Sequence, residues 1–278
     1  MTPRLLTNAD KPLAKALWRE TFSDSDAFVD WFFANRYRPE WSVGLFRGEK
    51  LITAIHGTPM ELSLGGGSCM ALMTSGVATV PAERGRGHMH EAMRFLQAHA
   101  KAQGIEALFN HPQTPGSYAR LGFRNSTYTK YWQGGGAPAA GEIGPFSEAA
   151  AYCIYQRMSA RYAGFAMRSP EAFHQKLQDY FTDGAEGFMM YAQGSPVGYC
   201  VYYDGDSVYG EEVLSLSSYG PLLHELRVRA GGRKASAKLP PDAEAEGEVR
   251  PQNVMLAPEW VWTAMEKGGL PCFCVDEY

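Results

Sequence analysis

Apolar and polar positions along this chain follow two periods, and the switches between them outline its elements. Arg4 to Leu6 reads as a short strand. Thr7, Asn8 and Asp10 offer caps for a helix to about Phe22, with Leu13, Ala16, Leu17 and Trp18 on one face. Phe28, Trp31 and Phe32 repeat at i, i+3, i+4 and predict a second helix over Ser25 to Asn35. The period then shortens. Trp41 to Arg47, Leu51 to Leu64 and Cys69 to Val80 are strand-like runs punctuated by Gly48-Glu49-Lys50 and Gly65-Gly66-Gly67. Helical spacing returns with Met89, Ala92, Met93, Leu96 and Ala100, and Gly104 marks a left-handed stop. A strand over Glu106 to Asn110, a short helix near Tyr118 and a strand over Phe123 to Trp132 complete the unit.

Gln133 to Pro145 is rich in Gly, Pro and Ala and reads as a linker. Beyond it, helices are expected over Ser147 to Arg161, Pro170 to Phe181 and Gly220 to Arg229. Gly187 to Gln193 and Val197 to Tyr203 predict a hairpin around Gly194-Ser195. Further strands are expected over Ser207 to Leu214, Arg233 to Leu239, Asn253 to Leu256 and Pro271 to Asp276, with an exposed acidic loop over Pro240 to Pro251. The second half echoes the element order of the first. The expected division is therefore 1–132, a linker at 133–145, and 146–278.

At 278 residues the chain has room for one large or two modest cores. Its formal net charge of −4 argues against nucleic acid as the main partner and leaves room for a cationic one. No apolar run is long enough to span a bilayer, and the opening M-T-P-R-L-L-T-N-A-D lacks the apolar core of a signal peptide. The scattered cysteines, 5 in number, read as reduced thiols in a cytoplasmic protein. Cys272 and Cys274 read as packed thiols and not as half of a metal site, because no other Cys/His pair has ligand spacing.

The candidate chemistry lies between Val77 and Leu96. The apolar run Val77-Ala78-Thr79-Val80 ends at Pro81, and Arg84-Gly85-Arg86-Gly87-His88-Met89 leads into the helix. A helix start carries unpartnered N–H groups and the positive end of the macrodipole, a natural seat for phosphate. Glycines let the backbone approach a ligand closely, and Arg84 and Arg86 add positive charge. From this stretch alone, an ordinary strand–turn–helix with solvated arginines fits equally well. A second stretch follows the next strand: H-P-Q-T-P-G-S-Y-A-R-L-G-F, from His111 to Phe123.

Together the two stretches resemble the GNAT (Gcn5-related N-acetyltransferase) family, whose acyl-CoA motif R/Q-x-x-G-x-G/A compares with Arg84 to Met89, and whose later Y-x-x-x-G-F compares with Tyr118, Gly122 and Phe123. Met89 departs from the motif's small last residue. In this it is similar to the Eis-type tandem-GNAT enzymes, although an equivalent of their sterol-carrier-like domain is not expected in this sequence. The resemblance implies an α/β (α+β) GNAT fold, a mixed and mostly antiparallel sheet flanked by helices, followed by a degenerate second copy. It implies acetyl-CoA as co-substrate, no metal, and a small-molecule or peptide amine as acceptor. The pantetheine arm is expected along Val77, Ala78 and Thr79, with an N–H near Val77 facing the oxyanion. The pyrophosphate is expected at Arg84, Gly85, Arg86, Gly87, His88, Met89 and His90, with Gln113, Thr114 and Ser117 further along. Tyr118 matches the family's general acid. The base is left among His111, the terminal carboxylate of Tyr278 and a water, with His56 and Glu61 as weaker candidates. A CoA-binding regulatory or scaffold protein without turnover is the alternative.

Overall fold

The computed structural model describes residues 1–114, 116–134 and 141–275. The first half runs β1 (Pro3–Leu5), α1 (Lys11–Thr21), α2 (Asp26–Asn35), β2 (Ser42–Arg47), β3 (Lys50–Ser63), β4 (Ser68–Thr79), α3 (His88–Ala102), β5 (Ala107–Asn110), α4 (Gly116–Ala119) and β6 (Arg124–Asn125). There follow β7 (Tyr128–Gln133), β8 (Glu142–Pro145), α5 (Glu148–Ser159), α6 (Pro170–Thr182), β9 (Glu186–Ala192), β10 (Ser195–Asp204), β11 (Val208–Ser215), α7 (Gly220–Ala230), β12 (Ala235–Leu239), β13 (Glu248–Pro251), β14 (Val254–Leu256) and α8 (Glu259–Gly268).

These strands form two seven-stranded sheets, ordered β1-β2-β3-β4-β5-β14-β6 and β13-β7-β12-β11-β10-β9-β8. Read from β8, the second sheet repeats the first: each has one parallel pair, β4–β5 or β11–β12, among antiparallel neighbours. The expected α/β fold with a second, similar unit is the fold observed.

The halves exchange strands. The run from Phe123 to Trp132, expected as one closing strand, splits. Its start, β6, stays in the first sheet, whereas β7 pairs with β12 and β13 in the second. Its place in the first sheet is taken by β14, with Val254 opposite Asn110 on one side and Asn125 on the other. The two segments cross where Ser126 N–H donates to Asn253 O and Gln252 N–H donates to Thr127 O, both at 2.9 Å. All four residues are buried, so these bonds satisfy backbone groups that water does not reach.

Other differences are local. The expected linker ends in β8, and the expected acidic loop contains β13; both are edge strands. Helix α8 went unforeseen; it buries Val261 and Met265, one turn apart. Within the expected strand Pro271 to Asp276, the described part makes only an isolated bridge from Cys272 to Ala163, and Asp276 lies outside the described residues. Cys272 and Cys274 pack at one core, beside Cys69.

The strands that matter for the site are covered on both faces, which explains why β4 reads as nearly continuous apolar sequence. Leu72 faces the core under α3 with Ala92, Met93, Leu96 and Tyr118. Ala78 faces the opposite core, under α1 and α2, with Trp18, Phe32 and Phe33. Helix α2 also ties the halves together: Arg36 donates to Asp179 of α6 at 3.2 Å, and both side chains are buried.

Candidate active site

Strands β4 and β5 begin side by side and then part. Their parallel pairing ends at Thr74 opposite Asn110, while β4 continues to Thr79 without a β5 partner. A bulge accompanies the parting. The register of β3 against β4 slips between Ala54 and His56, and Gly76 takes φ +52. Bulges bend a strand and re-aim its backbone. An alanine Cβ at Gly76 would stand 2.2 Å from Trp18 Cζ3, so the indole rests directly on the bulge. Trp18 is held there by its N–H, which donates to Asp24 at 2.7 Å.

At the far end of β4 the chain turns through Pro81 to Gly87 into α3. Gly85 and Gly87 take φ +76 and +83, the left-handed region that favours glycine. An added Cβ at either would meet nothing within 4 Å among the described residues, so the space above both is open. Gly87 is the N-cap and offers no side chain to the helix. The first bond across the cap is Glu91 N–H to the Gly87 carbonyl at 3.1 Å. Helix geometry therefore leaves the amides of His88, Met89 and His90 without intrahelical acceptors. The arrangement suits a diphosphate: amide donors, a dipole end and room for close approach.

The arginines act less directly than their sequence implies. Arg84 Nε donates to the Thr79 carbonyl at 3.1 Å, bracing the turn. Arg86 lies 3.2 Å from Glu83, whose carboxylate also accepts two bonds from Arg47, at 2.5 and 3.0 Å. The charge-assisted bonds from Arg47, together with Arg86, hold the Glu83 carboxyl below the usual carboxylate range. His88 is buried beside the same carboxylate, 3.6 Å away. His90 is a tie between elements: its Nε2–H donates to Ser117 O at 2.9 Å, fixing α4 against the head of α3. Thr79 shares a 3.0 Å hydroxyl contact with Thr53, and Val77 packs toward α3. Gln113 and Thr114 are exposed, and the Thr114 carbonyl accepts from Ser117 N–H at 3.0 Å.

Tyr118 is buried on α4 against Phe123, their ring centroids 5.5 Å apart. Burial pushes its phenol up to about 12, partly offset by hydrogen bonding from the Asn110 side chain. The phenol therefore keeps its proton at neutral pH. His111 Nδ1–H donates to the Gln252 carbonyl at 3.1 Å, so the strand exchange itself orients this histidine. Tyr278 lies outside the described residues.

His56 is not positioned as a base. Ser42 gives its hydroxyl proton to the Arg38 carbonyl at 2.7 Å, so the 3.0 Å contact with His56 Nδ1 requires the proton on that nitrogen. The rings of Trp18, Phe32, Phe33 and Tyr37 stand within 5.9 Å. This burial pulls His56 down to about 3. Glu61 sits at the other end of β3, where it accepts from Ser68.

Sequence reasoning missed Asn110, Glu83, Arg47 and the Trp18–Gly76 contact. Only Gly76 carried a signal, an isolated glycine inside a strand pattern.

The equivalent place in the second sheet is closed. Pairing of β11 with β12 ends at Gly210 opposite Ala237, and the next two residues, Glu211 and Lys238, form an ion pair at 2.9 Å across the parting strands. After β11, Ser215 Oγ donates to Ser218 O at 3.0 Å, and α7 starts from Tyr219 without a glycine turn before it.

Comparison with known proteins agrees with this geometry. Residues 2–125 match the acetyltransferase (GNAT) domain family. A GCN5-related N-acetyltransferase from Anabaena variabilis superposes with TM-score 0.71 at 14% identity, covering 91% of this chain and 72% of that one. One from Kribbella flavida gives 0.66 at 17% identity, covering 92% and 70%. Eis1 from Mycobacterium abscessus gives 0.67 at 13% identity, covering 92% and 74%. No curated protein matches the chain in sequence. Among the described residues no helix is long and apolar enough to cross a membrane, and no group of three or more His, Cys, Asp or Glu is arranged to hold a metal ion. The parted strands and the glycine turn both lie within the residues that match the acetyltransferase (GNAT) domain family.

Proposed function

We propose that the protein transfers an acetyl group from acetyl-CoA to a primary amine, on a small molecule or a peptide, by direct attack of the amine on the thioester. The observation that carries this reading is the parting of β4 from β5 after Thr74 and Asn110, aligned with an open glycine turn at the head of α3. The thioester supplies an activated acyl group; the protein's residues hold it and move protons. The amides around Gly85, Gly87, His88, Met89 and His90 grip the diphosphate. Arg84 and Arg86 shape the turn, and Glu83 tempers their charge. The backbone of Val77, Ala78 and Thr79 lines the pantetheine arm, with the Val77 N–H toward the oxyanion. A preorganised donor of that kind is worth roughly 3–4 kcal/mol.

Tyr118 donates its proton to the departing sulfur. A buried phenol that remains protonated at neutral pH suits the role. The base is His111, whose Nδ1–H is committed to Gln252 and whose basic nitrogen is then Nε2, or else the terminal carboxylate of Tyr278. Five free thiols suit work in the reducing cytoplasm.

The test is thiol release from acetyl-CoA in the presence of a panel of primary amines. Acetylated amine in step with thiol release is expected, and Tyr118→Phe should slow it roughly 100-fold or more. Tight CoA binding with no transfer to any amine would favour a scaffold that binds CoA without turnover.

A further inference from the structure

Glu83 stands directly before Arg84 and Gly85, where the chain enters the turn at the head of α3. Its side chain is 12% exposed, and three others converge on its carboxylate. Arg47, the last residue of β2, takes both oxygens: Nη1 donates to Oε1 at 2.5 Å and Nη2 to Oε2 at 3.0 Å. Arg86, inside the turn, reaches Oε2 with one nitrogen at 3.2 Å. His88, the first residue of α3, places its buried Nε2 3.6 Å from the same oxygen. The contact from Arg47 spans 36 positions of sequence and is the two-pronged fit of a guanidinium to a carboxylate. These contacts keep Glu83 ionised at neutral pH.

A carboxylate suits a helix N-terminus by itself, but it competes there with any other anion. Glu83 touches Arg86 and borders the first residue of α3, two of the positive elements that a diphosphate would use. Arg47 removes the conflict, because it answers the charge of Glu83 from outside the turn. Arg86 is 58% exposed and held by a single contact, so it can swing toward a ligand without leaving Glu83 uncompensated.

Given the reading of the turn as the CoA diphosphate site, we infer that Arg47 is a positioning residue for that site: it anchors and balances Glu83, and so leaves Arg86 and the amides at the head of α3 to the phosphates. Arg47 acts through Glu83 and needs no contact with the ligand. Without it, the charge of Glu83 falls on Arg86 and on the helix head, and repels the incoming anion.

Calorimetry with CoA on the full chain tests this without turnover. Arg47→Ala is expected to weaken CoA binding about fivefold in dilute salt. The ratio of wild-type to variant affinity should shrink to about twofold or less in 1 M NaCl, where the screening length is roughly 3 Å. Glu83→Gln should bind CoA at least as tightly as the wild type. Arg47→Ala combined with Glu83→Gln should return to within about twofold of wild type, since the charge that Arg47 answers is gone. A double variant as weak as Arg47→Ala, or Glu83→Gln weakened to the same degree, shows a clamp that only shapes the turn and overturns the inference. Wild-type affinity in Arg47→Ala overturns it too. A wild-type chain that binds no CoA refutes the diphosphate reading instead, which is a separate outcome. Should Arg47→Ala fail to fold, Arg47→Gln carries the same cycle.

Discussion

Replacing Gly76 by alanine separates a structural glycine from the turn glycines proposed to bind CoA. Two costs meet at Gly76. An L-residue at φ +52 sits in the left-handed region, at about 1–2 kcal/mol. The new Cβ would also stand 2.2, 2.5 and 2.9 Å from three ring atoms of Trp18. The indole cannot easily retreat, because its N–H is tied to Asp24 at 2.7 Å and its ring packs against Phe32 at 4.6 Å. Overpacking of this kind costs about 1–3 kcal/mol. Together the loss is about 2–5 kcal/mol, a large share of a typical domain's stability. Gly85→Ala is the control. Its φ of +76 carries the same backbone cost, but nothing lies within 4 Å of the added Cβ. That variant should lose only about 1–2 kcal/mol, while its methyl group occupies the space above the turn and weakens CoA binding. Urea unfolding reads the first quantity and calorimetry with CoA the second. Equal destabilisation of the two variants would refute the reasoning, as would Gly76→Ala unfolding at the wild-type urea concentration.

Other expectations follow from the same geometry. Arg36→Ala or Asp179→Ala should each cost about 3–5 kcal/mol in urea unfolding by stranding a buried charge, and Arg36→Met with Asp179→Leu should cost less than either; equal or greater loss in the double variant would contradict a buried pair. His56 is depressed from 6.5 to about 3, so the stability it contributes is whole above pH 6.5 and drains as pH falls through about 3. His56→Gln should flatten that part of the stability curve, and an imidazole resonance of His56 titrating near pH 6 would disprove the burial argument. A fragment ending at residue 134 lacks β14 and should fail to unfold cooperatively; a fragment that bound CoA would show the exchanged strand to be dispensable.

Much of the first half was legible because its elements are local. Met93, Leu96 and Ala100 announce one helical face, and Gly104, at φ +80, marks the stop of α3 that the pattern implied. The glycine turn was legible for the same reason, since its shape lies in its own backbone, with Gly85 and Gly87 at φ +76 and +83. What resisted reading was long-range. Nothing in Tyr128 to Gln133 or Val254 to Leu256 says which sheet each strand joins, because strand patterns encode a face and not a partner. β8 and β13 hide in segments rich in Gly, Pro and acidic residues, as short edge strands can. Asn110 looks like the polar end of a strand; its two hydrogen bonds to Thr74, 36 positions away, give it meaning.

The exchange of β7 for β14 bears on what the second unit, whose strands do not part around an open gap, contributes to the first. In the first sheet the strands part around buried polar groups, and Asn110 Oδ1 has no hydrogen-bond partner among the described residues. In the second, Glu211 and Lys238 fill the corresponding gap, and the neighbouring Glu212 is fully buried, bonded to Arg168 and to Tyr199 at 2.5 Å. A satisfied ionic network of this kind rigidifies, whereas a gap that must admit a ligand weakens its own sheet. The second half of the chain supplies β14, the strand that flanks β5 in the first sheet, and, through Gln252, the carbonyl that orients His111. Its value to catalysis is therefore mechanical: the closed copy braces the strand whose end carries Asn110, and that brace lets the parting of β4 from β5 be rigid without being filled.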